Sequence, residues 1–328
     1  MIELKKKDFG KIPEKTGYYF LAEAEKILFT GKTSNLQKSI QKILTSGLEN
    51  KNIFQLVSLT QKISYQETNS LFAALLEEKK ILQKHNPEFN QSIRLYDSYV
   101  YLAVDFYHVP FLKISENTLE DLYYLGPFRS RFFLYDFIDA MAVLFQFPSC
   151  EQRPAADGNE KFPCRKLKEG KCSGWCLQDK PEIVEMLFGT YFQDNRKLIK
   201  KTKSRQKKLM DSLEFLKLET LNEQIELIEK YYDFLQFFHV TKKLETTLSY
   251  ENKKVKIAGG LLSEIEKSGK IWDFNNFLPE YRRNEFLAHD KSQFMERLII
   301  YRQLKKNKLD AIEDIYKKSI LEMKGNLE

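Results

Sequence analysis

The amino-acid sequence predicts an α+β fold: a small α/β domain, then a cysteine-rich metal-binding segment, then a mostly α-helical C-terminal half. Three observations carry this. Two short apolar runs, residues 18–21 and 26–30, flank a polar turn near the front of the chain, as the strands of a hairpin do. All four cysteines fall within 27 residues in the middle. From about residue 181 to 246 breakers are few and Lys and Glu are many, the pattern of long helices.

At 328 residues the chain has room for two or three small domains, each with its own core. A hydrophobic fraction of 42% and a charged fraction of 30% are ordinary for a soluble globular protein. The 25 Phe and 17 Tyr predict aromatic-rich cores. A net charge of +7 suits a polyanionic partner, and equally a Lys-rich surface that keeps the protein soluble. The N-terminus is charged and lacks the apolar stretch of a secretory signal. The most apolar run, 132–147, contains Asp136 and Asp139 and is too short to span a bilayer comfortably. No membrane segment is therefore expected, and a cytoplasmic location is the default. In a reducing compartment, clustered cysteines are ligands sooner than disulfides.

Taken in order, the front hairpin breaks at Gly31-Lys32-Thr33-Ser34, where Ser34 can cap a helix running to about Leu44. A second helix is predicted over roughly 64–85, with apolar positions at Leu71, Leu75, Ile81 and Leu82. It stops at Asn86-Pro87, because proline disfavours helical geometry in the residue before it. Residues 99–106 alternate like a strand, Gly126-Pro127-Phe128 marks a turn, and 130–147 is an apolar helix. Residues 150–180 are loop-like. Beyond the long helices come a short strand at 253–257, a break at Gly259-Gly260 and a final Lys/Glu-rich helix. The domain division expected is 1–95, a linker at 96–149, the cysteine segment at 150–180, a helical hairpin at 181–240, and a region of unassigned role at 241–328.

The cysteines, Cys150, Cys164, Cys172 and Cys176, are spaced Cys-x13-Cys-x7-Cys-x3-Cys. Thiolates on a polar loop can converge on one soft metal, since each spacer leaves room for a reverse turn. Tetrahedral zinc and a cubane iron–sulfur cluster both satisfy the spacing.

Several motifs then occur together: Gly17-Tyr18-Tyr19, ten residues on Phe29-Thr30-Gly31-Lys32, Leu76-Glu77-Glu78 through Asn86-Pro87-Glu88-Phe89-Asn90, Asp97-Ser98-Tyr99-Val100-Tyr101, and Gly126-Pro127-Phe128. Pro163-Cys164, Gly170-Lys171-Cys172 and Cys176 follow, and then Leu213-Glu214-Phe215 with Leu221 and Gln224-Ile225. This series, over residues 13–228, resembles the excinuclease UvrC family of GIY-YIG nucleases. The resemblance implies a GIY-YIG nuclease-like domain, an iron–sulfur cluster (4Fe–4S) on the four cysteines in preference to zinc, and a UVR-like helical hairpin. The chain has the outline of the family's front half, without the second nuclease domain and the helix-hairpin-helix modules. It implies at most the first, 3′-side incision.

By the same resemblance, Glu78 is the ligand of a Mg²⁺ or Mn²⁺ ion, Tyr19 the water-activating phenol, Lys32 an auxiliary cation and Asn90 a supporting amide. A hard cation suits a lone carboxylate completed by phosphate and water. Three positions depart from the pattern. Phe29 stands for the second-motif tyrosine, Ser39 for the helix arginine and Ile43 for a further tyrosine. Lys38 and Lys42 neighbour Ser39, but lysine lacks the planar fork that clamps a phosphate. Losing a charge-stabilising arginine removes on the order of 10³ in rate. The expectation is a UvrC-like DNA-repair scaffold (nucleotide excision repair) with an eroded active site; the alternative is a non-catalytic DNA- or protein-binding module carrying the cluster.

The expected partners are DNA and a UvrB-like protein, through residues 197–228. Lys197, Lys200, Lys201, Lys203, Arg205, Lys207 and Lys208 form a positive run suited to a phosphate backbone. Phe215 is the expected apolar knob of the hairpin. Leu218 and Glu219 stand where the family has small residues.

Overall fold

The computed structural model describes residues 2–46, 50–150, 165–274, 287–307 and 311–325. Cys164 lies outside them. In chain order the front of the molecule comprises β1 (Ile2–Lys5), β2 (Gly17–Glu23), β3 (Lys26–Thr33), α1 (Leu36–Thr45), α2 (Lys51–Leu59), β4 (Lys62–Glu67), α3 (Leu71–His85) and α4 (Glu88–Ser92). The middle holds β5 (Val100–Val104), β6 (Leu112–Ser115), β7 (Tyr123–Phe128), α5 (Arg131–Phe145), α6 (Arg165–Lys168), α7 (Lys180–Tyr191), α8 (Lys197–Lys200), α9 (Lys203–Asp211) and α10 (Phe215–Lys242). The chain continues through β8 (Thr246–Tyr250), β9 (Lys253–Ala258), β10 (Leu261–Lys267), β11 (Lys270–Asp273), β12 (Leu287–Ala288), α11 (Phe294–Lys306) and α12 (Ala311–Gly325).

These elements fall into two compact units. The first unites residues 1–97 with 245–277 and 295–309; the second unites 98–244 with 278–294 and 310–328.

In the first unit, β1-β4-β2-β3 form an antiparallel sheet, with β2 and β3 the predicted hairpin. Tyr19, Leu21, Phe29, Ile40, Ile43, Ile63 and Phe89 belong to one buried core. The cap of α1 is Asn35, whose side chain accepts from the Lys38 amide at 2.9 Å, one residue beyond the expected Ser34. The helix predicted from residue 64 begins instead at Leu71, capped by Ser70, because 62–67 pairs as β4 between β1 and β2. Ile63, Ser64 and Tyr65 are buried there while Gln66 and Glu67 stay exposed. A second sheet, β11-β10-β9-β8, completes this unit. The sequence predicts one strand there; the described residues form four.

In the second unit, β12-β7-β5-β6 form the sheet, and β5 is buried along its whole length. Gly126-Pro127-Phe128, expected as a turn, is the end of strand β7. The apolar helix appears as α5, with Ser130 as its cap. It packs on α10 through Phe137 and Tyr231, whose rings stack with centroids 3.7 Å apart. The long helical stretch resolves into α7 to α10. The second half is thus mostly helical, with a four-stranded meander inserted in it. Among the described residues no helix is long and apolar enough to cross a membrane.

Candidate active site

The hairpin register places Tyr19 opposite Gly31 and Tyr18 opposite Lys32. Gly31 is needed there: a Cβ would come within 2.8 Å of the Tyr19 ring carbon Cζ and its hydroxyl. Gly17 is needed for the next pairing, since a Cβ would sit 2.2 Å from the Gln66 carbonyl on β4. Tyr19 is 2% exposed, and its hydroxyl lies 3.2 Å from Ser39 Oγ on α1. Burial pushes the phenol far above its usual range, a shift that the Ser39 hydrogen bond only partly offsets and the Glu78 carboxylate reinforces. The phenol is thus held in its neutral form, hydrogen-bonded to Ser39.

Helix α3 brings Glu78 beneath β3, where Lys32 Nζ stands 2.6 Å from its carboxylate. The two side chains are only 19% and 6% exposed. Such an ion pair, held away from water, is costly to break because either partner alone would be a buried charge. Asn90, on α4, does not face this pair. Its Oδ1 accepts from the Thr30 amide at 2.8 Å, and its Nδ2 donates to the Thr30 carbonyl at 2.7 Å. The side chain thus serves the free edge of β3 as a neighbouring strand would. Thr30 Oγ1 in turn donates to the Tyr19 carbonyl at 3.0 Å, so Asn90 braces the strands that carry Tyr19 and Lys32.

Phe29 and Ile43, the two apolar departures, are 5% and 6% exposed and fill the core beside Tyr19. Lys38 does not take the place left by Ser39; it points outward to Glu14 at 3.6 Å with its side chain 73% exposed.

The helix is held from its other flank by residues that the sequence does not single out. Lys253 on β9 donates to Glu77 at 3.0 Å, and Lys80 does so at 3.1 Å while resting over the Trp272 ring at 4.4 Å. Burial pushes the Glu77 carboxyl up, but the two ammonium groups outweigh it and hold it below the usual range. Lys79 pairs with Glu296 on α11 at 2.7 Å, and Gln83 donates to the Asp273 carbonyl at 2.6 Å. The glutamate helix is therefore clamped between the nuclease-like sheet and the β8–β11 meander.

The donor set for a hard cation is one carboxylate, Glu78, whose charge Lys32 already balances. The ammonium stands on one carboxylate oxygen, Oε2, and a divalent ion at Glu78 would share the carboxylate with it. Among the described residues no three His, Cys, Asp or Glu side chains converge to hold a metal. Of the cysteines, Cys172 is 8% exposed and its sulfur accepts from the Gly174 amide at 3.4 Å. Cys150 and Cys176 are half-buried.

In the second unit, α9 and α10 form a helical hairpin. Its tip exposes Met210, Leu213, Phe215 and Leu216, with Phe215 61% exposed. All seven cations of the basic run are exposed.

Residues 15–91 match the family described as a UvrC-like GIY-YIG domain. Over 176 residues the chain is 24% identical to UvrABC system protein C of Finegoldia magna, covering 53% of this chain and 29% of that protein. It is 24% identical to the Fervidobacterium nodosum protein of the same name over 349 aligned positions, 97% of this chain and 56% of the relative. The Rickettsia rickettsii protein is 28% identical over 178 residues, 53% and 27% of the two chains. The chain thus matches about half or less of the length of these relatives. Among solved structures it is similar to the GIY-YIG N-terminal endonuclease domain of UvrC from Thermotoga maritima bound to magnesium. The identity there is 18%, over 26% of this chain and 93% of that one, with a TM-score of 0.25.

Proposed function

We propose, from the match of residues 15–91 to a UvrC-like GIY-YIG domain, a DNA-repair protein of the nucleotide-excision type whose incision site is eroded. The observation that carries this reading is the Lys32–Glu78 pair at 2.6 Å. In it the single carboxylate available to a catalytic cation is neutralised by the chain itself. Ser39 adds to it: the hydroxyl engages Tyr19 and brings no positive charge to a transferring phosphoryl group. Phosphodiester hydrolysis needs a positioned water, a base and charge stabilisation. Bound Mg²⁺ or Mn²⁺ would supply charge stabilisation at Glu78. The chain's own residues supply a neutral phenol, an ammonium and a braced strand.

A nicking assay on lesion-bearing duplex DNA with Mn²⁺ tests the reading. Cleavage by the parent protein should equal that of Glu78→Ala. Robust turnover by the parent that Glu78→Ala abolishes would refute it.

A second reading, a non-catalytic module bearing an iron–sulfur cluster, is favoured by the Cys172 sulfur. It is buried and receives an amide hydrogen bond, the kind of contact that stabilises a cluster thiolate. Cys150, Cys172 and Cys176, with Cys164, would hold the cluster; zinc is the competing occupant. In this reading the basic run meets DNA and the exposed tip around Phe215 meets a UvrB-like partner. Iron and zinc analysis with an anaerobic absorbance spectrum decides it. About four irons per chain, lost in Cys172→Ser, supports the cluster, and one zinc or no metal rules it out.

A further inference from the structure

Two open grooves in the second unit share a wall. The first, of about 870 Å³, is lined by Tyr107, Phe147, Trp175 and one side of α7, with Lys180 and Lys324 at its margins. The second, of about 510 Å³, runs between the end of α5 and helices α8 and α9, with Lys201 and Arg205 on its far side. Phe147 and Trp175 line both. Trp175 therefore stands as a ridge between two cavities.

The ridge is fixed in place. The Trp175 indole N–H donates to the Gln146 carbonyl at 3.0 Å, and its ring lies 5.9 Å from that of buried Phe147. Gln146, in the left-handed conformation after α5, donates through Nε2 to the Gly170 carbonyl at 2.8 Å and accepts from Ser173 Oγ at 3.0 Å. These bonds tie the chain on both sides of Cys172 to the helix end, so little ordering of the indole is needed on binding.

Positive charge lies on both sides of this ring. Lys180, Lys201, Arg205 and Lys324 are all exposed, and Lys201 and Arg205 form no ion pair among the described residues. The carboxylate in the grooves is that of Glu185. A half-exposed aromatic face between cations matches a chain that alternates flat bases with phosphates. Duplex DNA hides its base faces in the stack, so only unpaired nucleotides can use the ridge.

We propose that the Trp175 ridge binds single-stranded nucleic acid, with one base stacked on the indole and the flanking phosphates held by Lys201 and Arg205 on one side and Lys180 and Lys324 on the other. The site rests on the nucleic-acid reading above only for its polyanion and is independent of incision chemistry.

The test uses the whole chain with Trp272→Phe, which leaves Trp175 as the sole tryptophan. Oligothymidylate should quench its fluorescence, and a blunt duplex of equal length should not. By anisotropy of a labelled oligothymidylate, Trp175→Leu should weaken binding about ten-fold or more, as loss of one stacked base does. Trp175→Phe, which keeps a ring, should stay within about three-fold. Lys201→Ala/Arg205→Ala should lower the salt-dependence slope by roughly 1.4, two phosphate contacts on a single strand. The proposal is overturned if oligothymidylate leaves the fluorescence unchanged, or if Trp175→Leu binds as the parent does. Robust nicking that Glu78→Ala abolishes, with intact quenching, would refute the eroded-site reading and leave this site standing.

Discussion

Lys32 and Glu78 form an ion pair across the β3–α3 contact, with Nζ 2.6 Å from the carboxylate and both side chains largely out of water. In this arrangement the residue expected to bind a metal ion also pairs β3 with α3.

The pair should therefore behave as a structural contact. Glu78→Gln or Lys32→Met alone is expected to lower stability by about 2 kcal/mol, less than a fully buried pair because Lys32 keeps some solvent. Lys32→Met with Glu78→Leu together should recover to within about 1 kcal/mol of the parent, since no buried charge is left alone. Urea unfolding of the four proteins measures this; two neutral single variants would contradict it.

Asn90 is predicted to act on the fold rather than on a substrate. Asn90→Asp puts a carboxylate oxygen against the Thr30 carbonyl that its amide now reaches at 2.7 Å. The expected loss is about 2–3 kcal/mol, exceeding that of Asn90→Ala, because a repulsion replaces a bond. Chemical denaturation of the two variants gives the order.

Gly31→Ala tests the close approach of β3 to the Tyr19 ring. The added methyl would stand 2.8 Å from the phenol, which is packed on all sides. A loss of about 1–3 kcal/mol is expected, visible as a lower thermal midpoint.

How far these contacts could be read beforehand depends on their range. The β2–β3 hairpin and the body of the glutamate helix were legible because their apolar spacing is local. Strand β4 was not, because Ile63 and Tyr65 run into the apolar pattern of α3 with only Ser70 to mark the break. The meander was legible only at β9, where buried Val255 and Ile257 alternate with exposed Lys254 and Lys256; the polar residues of β8, β10 and β11 dilute the hydrophobic signal there. In the site, Tyr19, Lys32 and Glu78 were marked by motif, and Ser39 by position. No local pattern could announce that Lys253 would reach Glu77, 176 residues away along the chain. The Asn90 amide was marked by position too, but its service to the Thr30 backbone is a matter of tertiary register.

In the second unit, His239 should set a pH limit. It is fully buried, with Nδ1 2.8 Å from Ser319 Oγ on α12 and Nε2 2.8 Å from the Phe192 carbonyl. Burial pushes its pKa down to about 4, against about 6.5 when exposed. Below pH 6.5 the unfolded chain takes up a proton that the native state refuses. Stability should then fall by roughly 1.4 kcal/mol per pH unit until about pH 4, a total of about 3 kcal/mol. His239→Gln should flatten that part of the profile, read from unfolding midpoints between pH 4 and 7.

The claim that the incision site is eroded is tested most directly by rebuilding it. Phe29→Tyr with Ser39→Arg restores the phenol and the guanidinium that the family pattern places there. With Mn²⁺ and lesion-bearing duplex, the rebuilt protein should nick DNA on the order of 10³ times faster than the parent. A parent that already cleaves at that rate, with nothing gained from the two substitutions, would contradict the account.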